Sequence, residues 1–154
     1  MTGTGVRLAN AADADVAARL LDEFNREFDT ETPGPAVLAD RLRTLLAGGG
    51  LVVLLADGDA GIAVVSLRVN VWYAGPVALL DELYVRPELR NRRIGQALLE
   101  AACAQAVARG AELLEINVDG VDHDARRFYE RHGFSNTEPG AGEPMYFYYK
   151  DLAP

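Results

Sequence analysis

Asp81-Glu-Leu-Tyr-Val-Arg-Pro-Glu-Leu-Arg-Asn-Arg-Arg-Ile-Gly-Gln-Ala97 is the stretch whose reading decides the fold. From about Val77 to Val85 the chain is nearly continuous in apolar residues apart from Asp81 and Glu82, which reads as a strand. Pro87 ends it, because proline has no N–H to give to a ladder. A helix begins almost at once. From Ile94 onward, Ala97, Leu98, Ala101, Ala104 and Ala108 recur at three and four residues, and Gly110 supplies the stop. Arg90, Arg92, Arg93 and Gly95 lie between the two elements, so cations and unpaired N–H groups meet at the positive end of a helix. That combination makes an anion site.

The same residues, Arg90-Asn91-Arg92-Arg93-Ile94-Gly95, resemble the acetyl-CoA motif R/Q-x-x-G-x-G/A of the Gcn5-related N-acetyltransferases (GNAT), which follows a strand ending in an apolar-aromatic-Val sequence. Arg93 stands where the first glycine is usual, but its amide survives. A second stretch, Asp122 to Phe134 after the apolar run Leu113 to Val118, is similar to the family's signature N-x-x-A-x-x-x-Y-x-x-x-G-F, with Asp122 in place of Asn. The two signatures stand in the expected order, and the resemblance covers Leu51 to Leu152. The first fifty residues match only in their order of elements.

This resemblance implies a single domain over residues 1–154 with a three-layer α/β fold. Its mixed, mostly antiparallel sheet would have about seven strands and about four flanking helices. It further implies acetyl-CoA as co-substrate, held by Leu83, Val85, Arg90, Asn91, Arg92, Arg93, Ile94, Gly95, Gln96 and Asp122. A splay between the strands ending near Val85 and Val118 would admit the pantetheine arm, whose amides can satisfy strand groups left unpaired there.

Composition bounds the alternatives. The 154 residues suit one ordinary domain, and 49% hydrophobic with 25% charged residues is average for a globular protein. No apolar run is long enough for a membrane span, and no basic start followed by an apolar core marks a secretory signal, so the expectation is a cytoplasmic protein without a membrane partner. A net charge of -8 repels a nucleic-acid backbone. The single cysteine, Cys103, sits among alanines and reads as a small buried apolar residue. His123 and His132 lack a metal-ligand constellation, so no metal is expected. Dinucleotide and Walker sequences are missing as well.

Along the chain, Val6 to Ala9 reads as a short strand, and Asn10 or Asp13 as the cap of a helix with Val16, Leu20, Phe24 and Phe28 on one face. Asp22, Glu23, Arg26 and Glu27 should then be largely exposed. A second helix spans about Ala36 to Leu46. Leu51 to Ala56 and Ile62 to Tyr73 form a hairpin about Asp57-Gly58-Asp59-Ala60-Gly61. After Leu113 to Val118 comes a short helix, Ala125 to His132, and Phe134 to Thr137 with Met145 to Lys150 supply the last strands.

Acetyl transfer to an amine needs a neutral amine, a polarised thioester carbonyl and a proton for the departing thiolate. Asp81 or Glu82 could take the ammonium proton, Glu82 being favoured; as neighbours on a regular strand they would face opposite sides of the sheet. By resemblance, the Val85 N–H would polarise the carbonyl and Tyr129 would protonate the thiolate. Phe24, Glu27, Phe28, Trp72 and Tyr146 are expected to shape the pocket of a small-molecule or peptide amine. An acyl-CoA-binding regulatory or interaction module is the alternative, and a homodimer stays open.

Overall fold

The computed structural model describes residues 5–153, which divide into two compact units, one ending at Ile116 and the other beginning at Asn117. The first unit carries the sheet. Its order is β1 (Val6–Leu8), β2 (Leu51–Ala56), β3 (Gly61–Arg68), β4 (Val77–Val85) and β5 (Leu114–Ile116), antiparallel except for the parallel pair β4 and β5. A parallel neighbour needs a crossover, and α3 (Ile94–Ala108) provides it.

Layering follows from strand alternation. Val53, Leu55, Ile62, Val64 and Tyr84 bury one face of the sheet with Ala14, Ala17, Ala18 and Leu20 of α1 (Ala14–Glu27), and with Ala39 and Leu42 of α2 (Pro35–Gly48). The alternate residues Val52, Leu54, Ala63 and Val65 are equally buried, and α3 lies against β2, β3 and β4 with Leu98, Leu99, Ala102 and Ala106 inward. Gly61 is required where α3 meets the sheet. A Cβ there would fall 2.6 Å from the Tyr84 carbonyl oxygen and 3.0 Å from Leu98 Cδ1.

The start of α1 is fixed before the helix begins. Asn10 caps a short 3₁₀ turn, Ala11–Asp13, by accepting from the Ala12 N–H, while Asp13 reaches back to the Asn10 N–H. Arg7 clamps the same Asp13 with two hydrogen bonds, tying β1 to the turn. These bonds lower the Asp13 carboxyl to about 2, the Arg7 bond contributing most.

The sheet is smaller than expected. In place of the late strands, the second unit has α4 (His123–Arg131), an isolated bridge between Thr137 and Pro144, and a 2.6 Å bond from the Met145 N–H to the Asn136 carbonyl. Residues 146–150 make no ladder, and their aromatic side chains, Tyr146, Phe147, Tyr148 and Tyr149, are exposed. Their strand-like composition has no partner to pair with, and composition alone does not make a strand. Strand β3 also stops early, at Arg68, because Asn70 accepts from the N–H groups of Trp72 and Tyr73 and gathers a turn there.

Two burial expectations change too. Cys103 is exposed, at the edge of the α3 face that carries Leu99, Ala102 and Ala106 and not within it. Asp22, expected on the outer face of α1, is buried at 8% exposure because Thr32 Oγ1 and Arg26 Nε both donate to it at 2.7 Å. The Arg26 bond, then the Thr32 bond, holds its carboxyl below the usual range. Asp22 thus stitches the loop between α1 and α2 to α1, leaving a costly orphan if either partner is lost. Asp22→Ala, which strands the Thr32 hydroxyl, is predicted to lower stability by about 1–3 kcal/mol in urea unfolding, with little change in the slope of the transition.

Candidate functional site

β4 carries Asp81, Glu82, Leu83 and Val85 of the predicted site residues, and an irregularity in it decides where they point. Val64 pairs with Glu82 but Val65 with Leu80, so Asp81 is an extra residue, a bulge. Directly opposed residues of an antiparallel pair share a face. Glu82 therefore lies with Val64 and Tyr84 on the α1 and α2 face, whereas Leu80 lies with Val65 on the α3 face. Asp81 is exposed and Glu82 half-buried. The simple alternation expected for these two acids does not carry across the bulge. Burial, and then the charge of Asp81, pushes the Glu82 carboxyl above its ordinary range, and no hydrogen bond or ion pair reaches it among the described residues.

Beyond the bulge β4 has one open edge. Its pairing with β5 covers only Ala78 to Leu80, opposite Leu114 to Ile116. On the other edge, the Arg86 N–H donates to the Ala60 carbonyl at 2.9 Å. Antiparallel alternation then turns the Tyr84 backbone groups to β3 and those of Leu83 and Val85 the other way, past the last residue of β5. The edge is open because β5 ends at Ile116, short of the Val118 expected, and not because two paired strands diverge within the first unit.

The turn that follows is a cradle of amides. After a 3₁₀ turn at Pro87–Leu89, Asn91 and Arg93 both take left-handed backbone at φ 64° before α3 begins. Among the described residues, no protein acceptor meets the N–H groups of residues 91–96. Left-handed residues alternating with others curl successive N–H groups toward one point, and the helix start adds its own. Arg92 and Arg93 stand exposed beside it. The glycine usual at position 93 is explained by this backbone, which a side chain strains.

The expected acceptor residues separate. Phe24, Phe28 and Glu27 gather on α1: Phe24 stacks on Tyr84 at 4.9 Å and meets Phe28 edge-on at 5.4 Å. Glu27 is not a free acid, since it accepts from the Tyr84 hydroxyl at 3.1 Å and pairs with Arg90 at 2.8 Å. Burial and then the bond to Glu27 push that phenol up to about 12. Next to it, Glu23 holds Arg86 at 3.1 Å. Tyr84, Glu23 and Arg86 were missed by sequence reasoning; the aromatic of the apolar-aromatic-Val sequence was the available signal for Tyr84. Trp72 lies elsewhere, exposed in the loop before β4 and so a strand length, roughly 25 Å, from Val85.

In the second unit, Asp122 caps α4 by accepting from the Ala125 N–H at 3.0 Å. Tyr129 sits on that helix with its ring edge-on to Phe128 at 5.1 Å and to Phe134 at 5.5 Å. Its carbonyl accepts from the Phe134 N–H at 3.0 Å, fixing the helix end. Tyr146 is exposed. Among the described residues, no group of three or more His, Cys, Asp or Glu is placed to hold a metal, and no helix is long and apolar enough to cross a membrane.

An open strand edge here runs into an amide cradle at a helix start, an arrangement suited to an anionic ligand. Residues 16–134 match the model of the acetyltransferase (GNAT) family, and the chain belongs to that family. It is 33% identical to an aminoglycoside N(6')-acetyltransferase type 1 of Stenotrophomonas maltophilia, over 86% of this chain and 87% of that one. It is 32% identical to an aminoalkylphosphonate N-acetyltransferase of Salmonella typhimurium, over 54% of each chain. The chain thus spans about half the length of that relative, 63% of an uncharacterised N-acetyltransferase of Archaeoglobus fulgidus and 27% of one from Methanocaldococcus jannaschii. Among solved structures, a candidate acetyltransferase from Arthrobacter sp. FB24 superposes with a TM-score of 0.93 at 56% identity, over 99% of this chain and 98% of that one. The aminoglycoside N-acetyltransferase AAC(6')-Iy in complex with CoA shares the fold, with a TM-score of 0.78 at 19% identity over 99% and 98% of the chains.

The backbone at Arg93 gives a direct check on the cradle. Arg93→Gly is predicted to be more stable than Arg93→Val by about 1–2 kcal/mol in urea unfolding, because a β-branched residue is poorly tolerated at positive φ. The reverse order would mean that the turn has a different backbone.

Proposed function

We propose that the protein transfers the acetyl group of acetyl-CoA to a primary amine of a small-molecule or peptide acceptor, within one ternary complex. The observation that carries this reading is the cradle of free N–H groups at residues 91–96 beside the open edge of β4. Its amides, with Arg92 and Arg93, would take the pyrophosphate, and the N–H and carbonyl of Leu83 would pair with the pantetheine amides. The matched segment crosses the boundary between the two compact units, which supports one catalytic domain. A relative and a solved neighbour named for aminoglycosides favour a small polyamine-like acceptor.

Each chemical demand has a residue suited to it. Glu82, half-buried and without a cationic partner, takes the proton of the bound ammonium. The free amine lone pair then attacks the thioester carbon, and the Val85 N–H stabilises the oxygen that gains charge. As the tetrahedral centre collapses, the carbon–sulfur bond breaks, the thiolate takes the Tyr129 hydroxyl proton, and the new amide nitrogen gives its extra proton to solvent; solvent reprotonates Tyr129 and takes the proton held by Glu82. The Tyr129 hydroxyl is a weak acid of the kind this proton donation needs. Glu27 contributes less to acceptor attraction than its charge suggests, because Arg90 already balances it.

The pH dependence has a defined sign. Glu82 must be ionised to act, so kcat/KM is predicted to rise with pH through a carboxyl value above the ordinary 4.5. Asp81→Asn removes a neighbouring negative charge and should move that limb to lower pH, and Glu82→Gln should abolish it. Tyr129→Phe is predicted to cut turnover by roughly 10²-fold to 10⁴-fold and remove the high-pH limb, with CoA affinity little changed. CoA binding with no turnover across polyamines, aminoglycosides, amino acids and peptides would instead support a non-catalytic acyl-CoA-binding module.

A further inference from the structure

Arg90 opens the stretch that forms the anion turn, and a cation there invites assignment to the phosphate. Its contacts point elsewhere. Nε donates to the Val85 carbonyl at 3.0 Å, and Nη2 reaches both Glu27 oxygens, at 2.9 and 2.8 Å. The guanidinium lies 5.8 Å from the centre of the Tyr84 ring, whose hydroxyl donates to the same Glu27 carboxylate at 3.1 Å. Phe24 closes the other side of that ring. One planar fork therefore joins three elements: the last residue of β4, the last residue of α1 and the entry to the turn. To reach a phosphate the fork would have to leave a carboxylate only 26% exposed, and would surrender the Val85 carbonyl as well.

We propose that Arg90 is a positioning residue and makes no contact with the pyrophosphate: through Glu27 and the Val85 carbonyl it holds the end of β4 and the start of the amide cradle against α1. Attraction for the anion then comes from the N–H groups of residues 91–96 and from Arg92 and Arg93, which are exposed and make no ion pair among the described residues. The proposal rests on the acetyl-CoA reading above. Its consequence is that the helix carrying Phe24 and Phe28 and the turn holding the cofactor are linked by one ion pair.

Lysine separates the two roles. It can meet a phosphate as a point charge, but it cannot span Val85 and Glu27 with a rigid fork. CoA affinity would be measured by calorimetry at 0.15 and 0.5 M salt for the wild type, Glu27→Gln, Arg90→Lys and the double variant. High salt suppresses the general effect of removing a charge near an anion. The brace predicts that each single change weakens CoA about tenfold, and that the double variant falls within roughly threefold of either single. A phosphate-binding Arg90 predicts the opposite signs, with Glu27→Gln tightening CoA and Arg90→Lys staying near wild type; either result overturns the proposal. The Arg90 Nε–H resonance of the wild type, assigned by its loss in Arg90→Lys, gives a second reading. It should exchange slowly with solvent before and after CoA is added, and about tenfold faster in Glu27→Gln. Coupling of that proton to phosphorus, or fast exchange in the free protein, overturns the brace even where a variant fails to fold. If wild-type protein binds no CoA, the acetyl-CoA reading fails, whereas the exchange measurement on free protein still decides the brace.

Discussion

Strand β4 has to satisfy two neighbours unequally, and the site depends on that inequality. Along β3 it is paired for its whole length, which makes it rigid; along β5 it is paired only from Ala78 to Leu80. The Val85 carbonyl is met by Arg90, but the remaining groups, the N–H and carbonyl of Leu83 and the N–H of Val85, would be a penalty in a finished sheet. Here they face an edge where a ligand's amides can complete the ladder. The bulge at Asp81 sets the phase of this arrangement. By inserting one residue it turns Glu82 and Tyr84 toward α1, and at the same time turns the Leu83 and Val85 amides to the open edge.

Charge is distributed to suit that geometry. On the α1 side, Glu23 and Glu27 are matched by Arg86 and Arg90, so the end of β4 is held by two ion pairs, the Arg86 one partly buried and the Arg90 one nearer the surface. Their worth here is in fixing geometry more than in net stability. Glu82 is the exception, a half-buried carboxylate with a like charge beside it and no cationic partner among the described residues. An acid kept in that condition has an unmet demand for a proton, which suits a base and serves no evident packing purpose.

Much of this was legible in the sequence because local chemistry determined it. The strand, turn and helix from Val77 to Ala108 follow from apolar periodicity, Pro87 and the glycines, and the β2 and β3 hairpin follows from its turn residues. The cradle was legible too, since a helix start always leaves amides unpaired. What failed was set by tertiary pairing. Two adjacent acids in an apolar strand carry no mark of which residue is extra, so the bulge could not be placed. Glu27 is an exposed helix residue as expected, but its partners Arg90 and Tyr84, both more than fifty residues on, could not be read locally. Asp22 was misjudged for the same reason, its partner Thr32 lying in the next loop. The run from Met145 to Lys150 has the composition of a strand but lacks a ladder, and no local rule predicts that.

The central claim is that the amides of residues 91–96, at the start of α3, hold the pyrophosphate of CoA. Calorimetric titration of CoA into Gly95→Asp, with melting curves of the free protein alongside, tests it most directly. A carboxylate in the first turn of a helix is tolerated by the fold, so the melting temperature should stay within a few degrees. The same carboxylate beside the pyrophosphate should weaken CoA by more than about tenfold, and the loss should shrink as salt is raised. An unchanged CoA affinity in the folded variant would contradict the account.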